Sequence, residues 1–359
     1  MVALVVATMS YAQSSQIATL SHEGSISTFY GNSALKEAMT AAHDGDIITL
    51  SSGAFNAINI TKAVTIRGAG MQTDSITKTF PSIIQGDFTI SIPDSVSNTL
   101  VLEGIYHSNI IWVSGTLKNA KFIKNRLVSL SYATSETCTM HNLSFIHCKI
   151  SNGLSLPANS SASCVNCYIQ YPYSLDATSS NFEFSNCVIR MVNEDKEWTN
   201  VKRKGTDLVK SSSFTNCIIY STSVFADIYE YTSESYGNPY LHSSNVAYYC
   251  IGYGFSKVSR YTNNIFKGIT SNNTNTSTSS LLSLFKSWNG GYDDFNTFEL
   301  TDAAKTKYLG SDGKQVGIYG GSLPFDPLPT NPQITKCNVA AKTTADGKLS
   351  VDIQVKAAE

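Results

Sequence analysis

The stretch FSNCVIR, Phe184–Arg190, decides the fold, because close relatives of it recur along the chain. Aligned on their first residue, the six-residue frames are FIKNRL from Phe122, FIHCKI from Phe145, CVNCYI from Cys164, FSNCVI from Phe184 and FTNCII from Phe214. A weaker copy, YTNNIF, starts at Tyr261, and LVLEGI from Leu100 reads as a degenerate one. From Leu100 to Phe214 successive starts lie 22, 23, 19, 20 and 30 residues apart. A period near 20 is too short for paired-helix repeats and suits a solenoid of strands.

Positions one, four and six carry the apolar residues, a spacing that is neither helical nor strictly alternating. Strand geometry would set positions four and six on one face and position one on the other. A bend at positions two and three returns all of them to one side. Asn holds position three at Asn166, Asn186, Asn216 and Asn263, and Asn is the non-glycine residue that best tolerates a left-handed backbone. Each module therefore reads as strand, Asn bend, strand. Stacking such coils brings like residues to about 4.8 Å. It predicts one interior column of Cys148, Cys167, Cys187 and Cys217, and another of Ile150, Ile169, Ile189 and Ile219. The fold class expected is all-β: a single-stranded right-handed parallel β-helix, its hand taken from the general preference for right-handed crossovers.

The ends fit that plan. Ser33 stands ready to cap a short helix in which Leu35, Ala38, Met39 and Ala42 share a face. The helix stops at HDGD, and the short strands IITL, AINI and AVTIRGAG follow. Here the chain resembles the pectate-lyase-like β-helix superfamily: residues 33–43 match the helix that plugs the first coil. Near the other end, YLGSDGKQVGIYGGSLPFDPLPTNP is similar to the closing turn of secreted β-helix proteins of Bacteroidetes, where GxYGG precedes a Pro-rich exit. The resemblance covers residues 33–330 and implies the fold. It leaves activity open, since the superfamily holds lyases, hydrolases, esterases and adhesins.

The layout expected is a signal peptide over 1–12, an N-terminal segment over 13–32, the β-helix over 33–330 and a C-terminal extension over 331–359. The apolar run Val2–Met9 followed by Ser10-Tyr11-Ala12 motivates the first, and the turn signal Asp346-Gly347 makes the last a hairpin. The signal-peptide reading implies export, and no other stretch reaches the length of a membrane helix; the expected location is secreted, periplasmic or cell-surface, and the expected state a monomer. Charged residues are only 15% of the chain and the net charge is -1, against about 25% charged in an average soluble protein. No overall field recruits nucleic acid.

Export invites a disulfide reading of the eight cysteines, but four of them occupy one slot of a structural module. Cys164-x-x-Cys167 resembles half a metal motif, yet Cys164 stands where sister frames carry Phe, and buried free Cys behaves as a small hydrophobe. Labile or absent disulfides are expected, and Cys138, Cys250 and Cys337 fall outside the column. The six histidines lack ligand spacing and read as structural or surface residues, so no metal site and no cofactor is expected, Ca²⁺ entering only if the chain were a lyase.

The candidate site is the insertion NEDKEWTNVKRKGTD between Phe184 and Phe214, because loops on rigid scaffolds commonly carry function. There Glu194, Asp195 and Asp207 are candidate acids or Ca²⁺ ligands, and Lys202, Arg203 and Lys204 candidate bases. Trp198, Tyr229, Tyr231, Tyr236 and Tyr240 are candidates for stacking on sugar rings. Neither the His- and Asp-containing signatures of pectate lyases nor the NTD, DD and GHG elements of polygalacturonases occur, which leaves enzyme status open. The functional expectation is an exported β-helix protein that binds or processes polysaccharide or a cell-surface glycan. Alternatives are a lyase or glycoside hydrolase acting through the 193–207 loop, and a non-catalytic structural or adhesive surface protein.

Overall fold

The structure is a computed structural model that describes residues 16–75, 77–134, 137–170, 172–174, 180–191, 213–221, 246–248, 251–253, 274–276, 283–287, 298–329 and 332–356. It is an all-β parallel solenoid, with two short helices among the described residues. The chain passes back and forth between two long sheets. The first runs from Ile47–Leu50 through Val101–Glu103, Leu143–Ile146 and Asn181–Ser185 to Val246–Tyr248. The second runs from Gly53–Asn56 through Ile105–Val113, Arg126–Tyr132 and Val188–Met191 to Thr274–Thr276.

The repeat frames sit in register as their pattern requires. Phe122 pairs with Phe145, Phe145 with Cys164, Cys164 with Phe184, and Phe184 with Phe214. The four isoleucines of the second column are fully buried and consecutive in register. Where Phe follows Phe the rings stack in parallel, at 4.7 Å for Phe122–Phe145 and 5.0 Å for Phe184–Phe214. The LVLEGI copy is corrected by two residues: Leu102, not Leu100, stands opposite Phe122. That shift brings Gly104, with φ +63°, to position three.

Position three is left-handed in all five strong frames, with φ between 49° and 55° at Lys124, His147, Asn166, Asn186 and Asn216. The bend therefore does not need Asn. Lys124 and His147 adopt a backbone that L-residues avoid because both side chains are tied down on the outside. The Lys124 ammonium meets the Asp326 carboxylate at 2.7 Å, and His147 Nε2 lies 3.0 Å from the Leu323 carbonyl.

Position four does more than fill space. As the chain leaves the first sheet at the bend, the carbonyl of position one in the preceding coil is left facing the interior. The position-four side chain satisfies it. Asn125 donates through Nδ2 to Leu102 O at 2.7 Å, and the Cys148, Cys167, Cys187 and Cys217 thiols reach Phe122, Phe145, Cys164 and Phe184 O at 3.1–3.6 Å. Backbone amides complete the ladder, with Cys148 N–H donating to Cys167 Sγ and Cys187 N–H to Cys217 Sγ. The column is thus a chain of weak thiol hydrogen bonds, and the seven described cysteines are free thiols. The next coil begins at Ala247, opposite Phe214, and Gly252 stands opposite Ile219. Between them the frame AYYCIG is a copy that the sequence reading passed over, with Cys250 in its fourth place. YTNNIF, at 261–266, lies outside the described residues.

At the N-terminal end, Ile17–His22 pairs antiparallel with both Ser25–Tyr30 and Ile47–Leu50, closing the first sheet. Helix α1, Ala34–Ala41, plugs the first coil with Leu35, Ala38, Met39 and Ala42 buried. Ser33 precedes it but its side chain makes no capping hydrogen bond. The other terminus is capped instead by Lys62 from the next coil, whose ammonium donates to Met39 O and Thr40 O at 2.9 Å and to Ala42 O at 2.5 Å. A cation is favourable there, where helix carbonyls lack partners.

The stretch expected to close the far end does something else. Residues 308–329 run back along the solenoid as a strap over the position-three column. Ser311 N–H donates to Asn216 Oδ1, Asn166 Nδ2 donates to Ile318 O and Gly320 O, and Pro329 reaches Gly70 in an early coil. Contact is so close that a Cβ on Gly321 would lie 2.6 Å from Asn186 Nδ2. Beneath the strap, Val316, Ile318 and Phe325 pack on the outward residues Met71, Tyr168, Val188 and Ile218, joined by Leu300 and Ala304 of helix α2, Asp302–Lys307, and its N-terminal flank. Beyond it, Gln333–Val339 and Val351–Lys356 form an antiparallel hairpin on which Val339, Val351, Ile353 and Val355 are exposed.

Candidate functional site

The strap decides which outer surface is available, since it buries the bend column and the outward row beside it. A partly exposed row, not covered by the strap among the described residues, lies on strand Ile105–Val113. Period-two alternation turns Ile111 and Val113 into the core, fully buried, and leaves Trp112 partly exposed on the outside. Its in-register neighbours are Thr89 on one coil and Ser131 on the next. Both are small and hydroxylated, so an indole stands between short polar side chains on a rigid sheet.

Two loops leave the solenoid beside this row, because Ile90 pairs with Val113 and the chain turns out after each. Between them lies a small depression lined by Asp94, Asn98, Thr116 and Lys118 together with the apolar Ile92, Pro93, Val96, Leu100 and Leu117. It offers one carboxylate, one ammonium, an amide and a hydroxyl. A flat aromatic with hydrogen-bonding groups close by is a combination that can hold a pyranose, whose C–H faces sit on the negative face of the ring while its hydroxyls find partners.

A second constellation lies at the N-terminal end. His22 ends the first strand, and Ser21 pairs with Ile47, so the chain register carries His22 toward Asp46. His43 and Asp46 flank the turn between helix α1 and Ile47–Leu50. His22 Nδ1 lies 2.8 Å from Asp46 Oδ1, His43 N–H donates to Asp46 Oδ2 at 2.7 Å, and His43 Nδ1 is 3.9 Å from the same oxygen. The two imidazoles stack with centroids 4.5 Å apart. Asp46 is buried, His22 half-exposed and His43 mostly exposed. The hydrogen bond and charge of Asp46 raise the His22 pKa against a smaller desolvation effect. Burial alone would raise Asp46, but the His43 amide and the two imidazoles outweigh it and hold the carboxyl below its ordinary value.

Glu194, Asp195, Lys202, Arg203, Lys204 and Asp207, with Trp198, Tyr229, Tyr231, Tyr236 and Tyr240, lie outside the described residues, as do residues 1–12. Sequence reasoning missed both constellations seen here. Trp112 stands in the unbroken apolar run IIWV, Ile110–Val113, which marks a strand but does not say which residues face outward. The histidine cluster carried no signal, because 20 residues separate its partners (22 to 43) and no ligand spacing appears. No helix among the described residues is long and apolar enough to cross a membrane. Comparison with protein-family models, curated proteins and solved structures gives no match for this chain.

Proposed function

We propose that the protein is an exported, monomeric β-helix protein of pectate-lyase-like type that binds polysaccharide or a cell-surface glycan along its uncovered outer face. The observation that carries this reading is the partly exposed Trp112 ring, set between Thr89 and Ser131 on a rigid sheet. A preformed, flat site loses little entropy on binding an extended chain. Aromatic anchors of this kind carry much of the energy in recognition surfaces.

A glycan array probed with the full chain and with Trp112→Ala tests the reading. Binding to at least one glycan class, weakened ten-fold or more by the substitution, is the expected result. An array that stays silent across plant, host and microbial glycans refutes it, as does a signal that Trp112→Ala leaves intact.

A further inference from the structure

We infer that His22, His43 and Asp46 form a binding site for one divalent transition-metal ion of the zinc class. Among the described residues they are the group whose ligating atoms converge, with one atom from each lying within 4.8 Å of the others. Both imidazoles turn an Nδ1 edge toward the same carboxylate, at 2.8 and 3.9 Å. Two ligands of a tetrahedral ion with bonds of about 2.0–2.1 Å stand about 3.3 Å apart, so the observed separations bracket the required one. The two contacts run to different oxygens of Asp46 and the rings are stacked, so closing the set requires both imidazoles to turn out of the stack until their in-plane lone pairs meet at one point. The half-exposed His22 and the mostly exposed His43 have room to turn, while the buried carboxylate stays fixed by the His43 amide.

The donor set selects the metal. Two imidazole nitrogens and one carboxylate suit Zn²⁺ and its borderline neighbours, whereas Ca²⁺ and Mg²⁺ call for oxygen ligands. Three protein ligands leave the fourth position to water, on the side where His43 is exposed. Ion binding displaces the proton that His22 shares with Asp46 and transfers it to solvent. The ion would also pin the first strand, Ile17–His22, to the turn after helix α1.

Titration of the metal-free full chain with Zn²⁺, followed by calorimetry, and with Co²⁺, followed by visible absorption, tests the site. One Zn²⁺ per chain is expected, with a tetrahedral Co²⁺ spectrum, no heat with Ca²⁺, and a melting temperature raised by Zn²⁺. His43→Ala is the informative variant, because that ring is largely exposed and its loss leaves the fold standing. Affinity should fall ten-fold or more in His43→Ala and in His22→Ala, and stay unchanged in His141→Ala and Cys337→Ser. The inference is overturned if Zn²⁺ does not saturate the chain, if His43→Ala binds as well as the parent, or if Cys337→Ser abolishes binding. Because its readout is metal alone, its failure is separate from any failure on glycan arrays.

Discussion

Asn166 is where one substitution separates the two duties of the bend column. It is 1% exposed, holds φ at 49°, and donates through Nδ2 to Ile318 O at 2.7 Å and Gly320 O at 2.8 Å. Asn166→Gly keeps the left-handed backbone and removes both donors. Each buried strap carbonyl left without a partner costs at least about 1 kcal/mol, so the variant should lose about 2 kcal/mol. Asn166→Ala loses the same donors and adds about 1 kcal/mol for a Cβ in the left-handed region, a total near 3 kcal/mol. Asn166→Asp should exceed both, since it sets a buried carboxylate against two carbonyl oxygens. Urea unfolding of the three variants gives the order, and limited trypsin digestion at Lys314 reports whether the strap lifts first. Two results would refute the reasoning: Asn166→Gly unfolding within about 0.5 kcal/mol of the parent, the ordinary range for surface changes, or Ala and Gly proving equal. The first would mean that the strap bonds contribute nothing, the second that the bend imposes no backbone requirement.

Two further outcomes follow from the buried and paired groups. The metal-free cap should be most stable in mildly acidic solution: the raised His22 pKa adds stability below about 6.5 that fades as pH climbs through its folded value, and the lowered Asp46 pKa adds stability above about 3.8 that fades as pH falls through its own. Hydrogen exchange of the Ile17–His22 amides against pH checks this, and protection that keeps rising above neutrality would contradict it. Burial raises the Cys164 and Cys167 thiols well above the ordinary range and the Cys138 thiol to about 11. Because burial denies the reagent access to every described cysteine except the exposed Cys337, only Cys337 should label with maleimide in the native state, and peptide mapping that finds Cys148, Cys167, Cys187 or Cys217 labelled without unfolding would count against the interior column.

Much of the solenoid was legible because its instructions are local and repeated. An apolar residue at one, four and six with a turn-tolerant residue at three says where the chain bends, whatever lies above or below. The Phe, Cys and Ile columns follow from that rule alone. Errors arose where the pattern is carried by other residues: Gly104 took the bend in a frame misread by two places, and AYYCIG, whose Ala247 and Gly252 stand opposite Phe214 and Ile219, went unnoticed. Position four was read as small and apolar, which holds for its burial, yet Asn125 in the same slot shows that its hydrogen bond to the preceding coil matters too.

The sequence by itself determined the coil, since strand, bend and interior column are properties of about six consecutive residues. Only the tertiary structure decided which outer surface stays open and which side chains meet across it. The strap covers the bend column through bonds spanning 152 residues between Asn166 and Ile318, and a pairing that distant leaves no periodic mark. His22, His43 and Asp46 converge for the same reason: a hairpin strand and a helix return to one end of the sheet, and proximity in space, not spacing along the chain, brings their charges together.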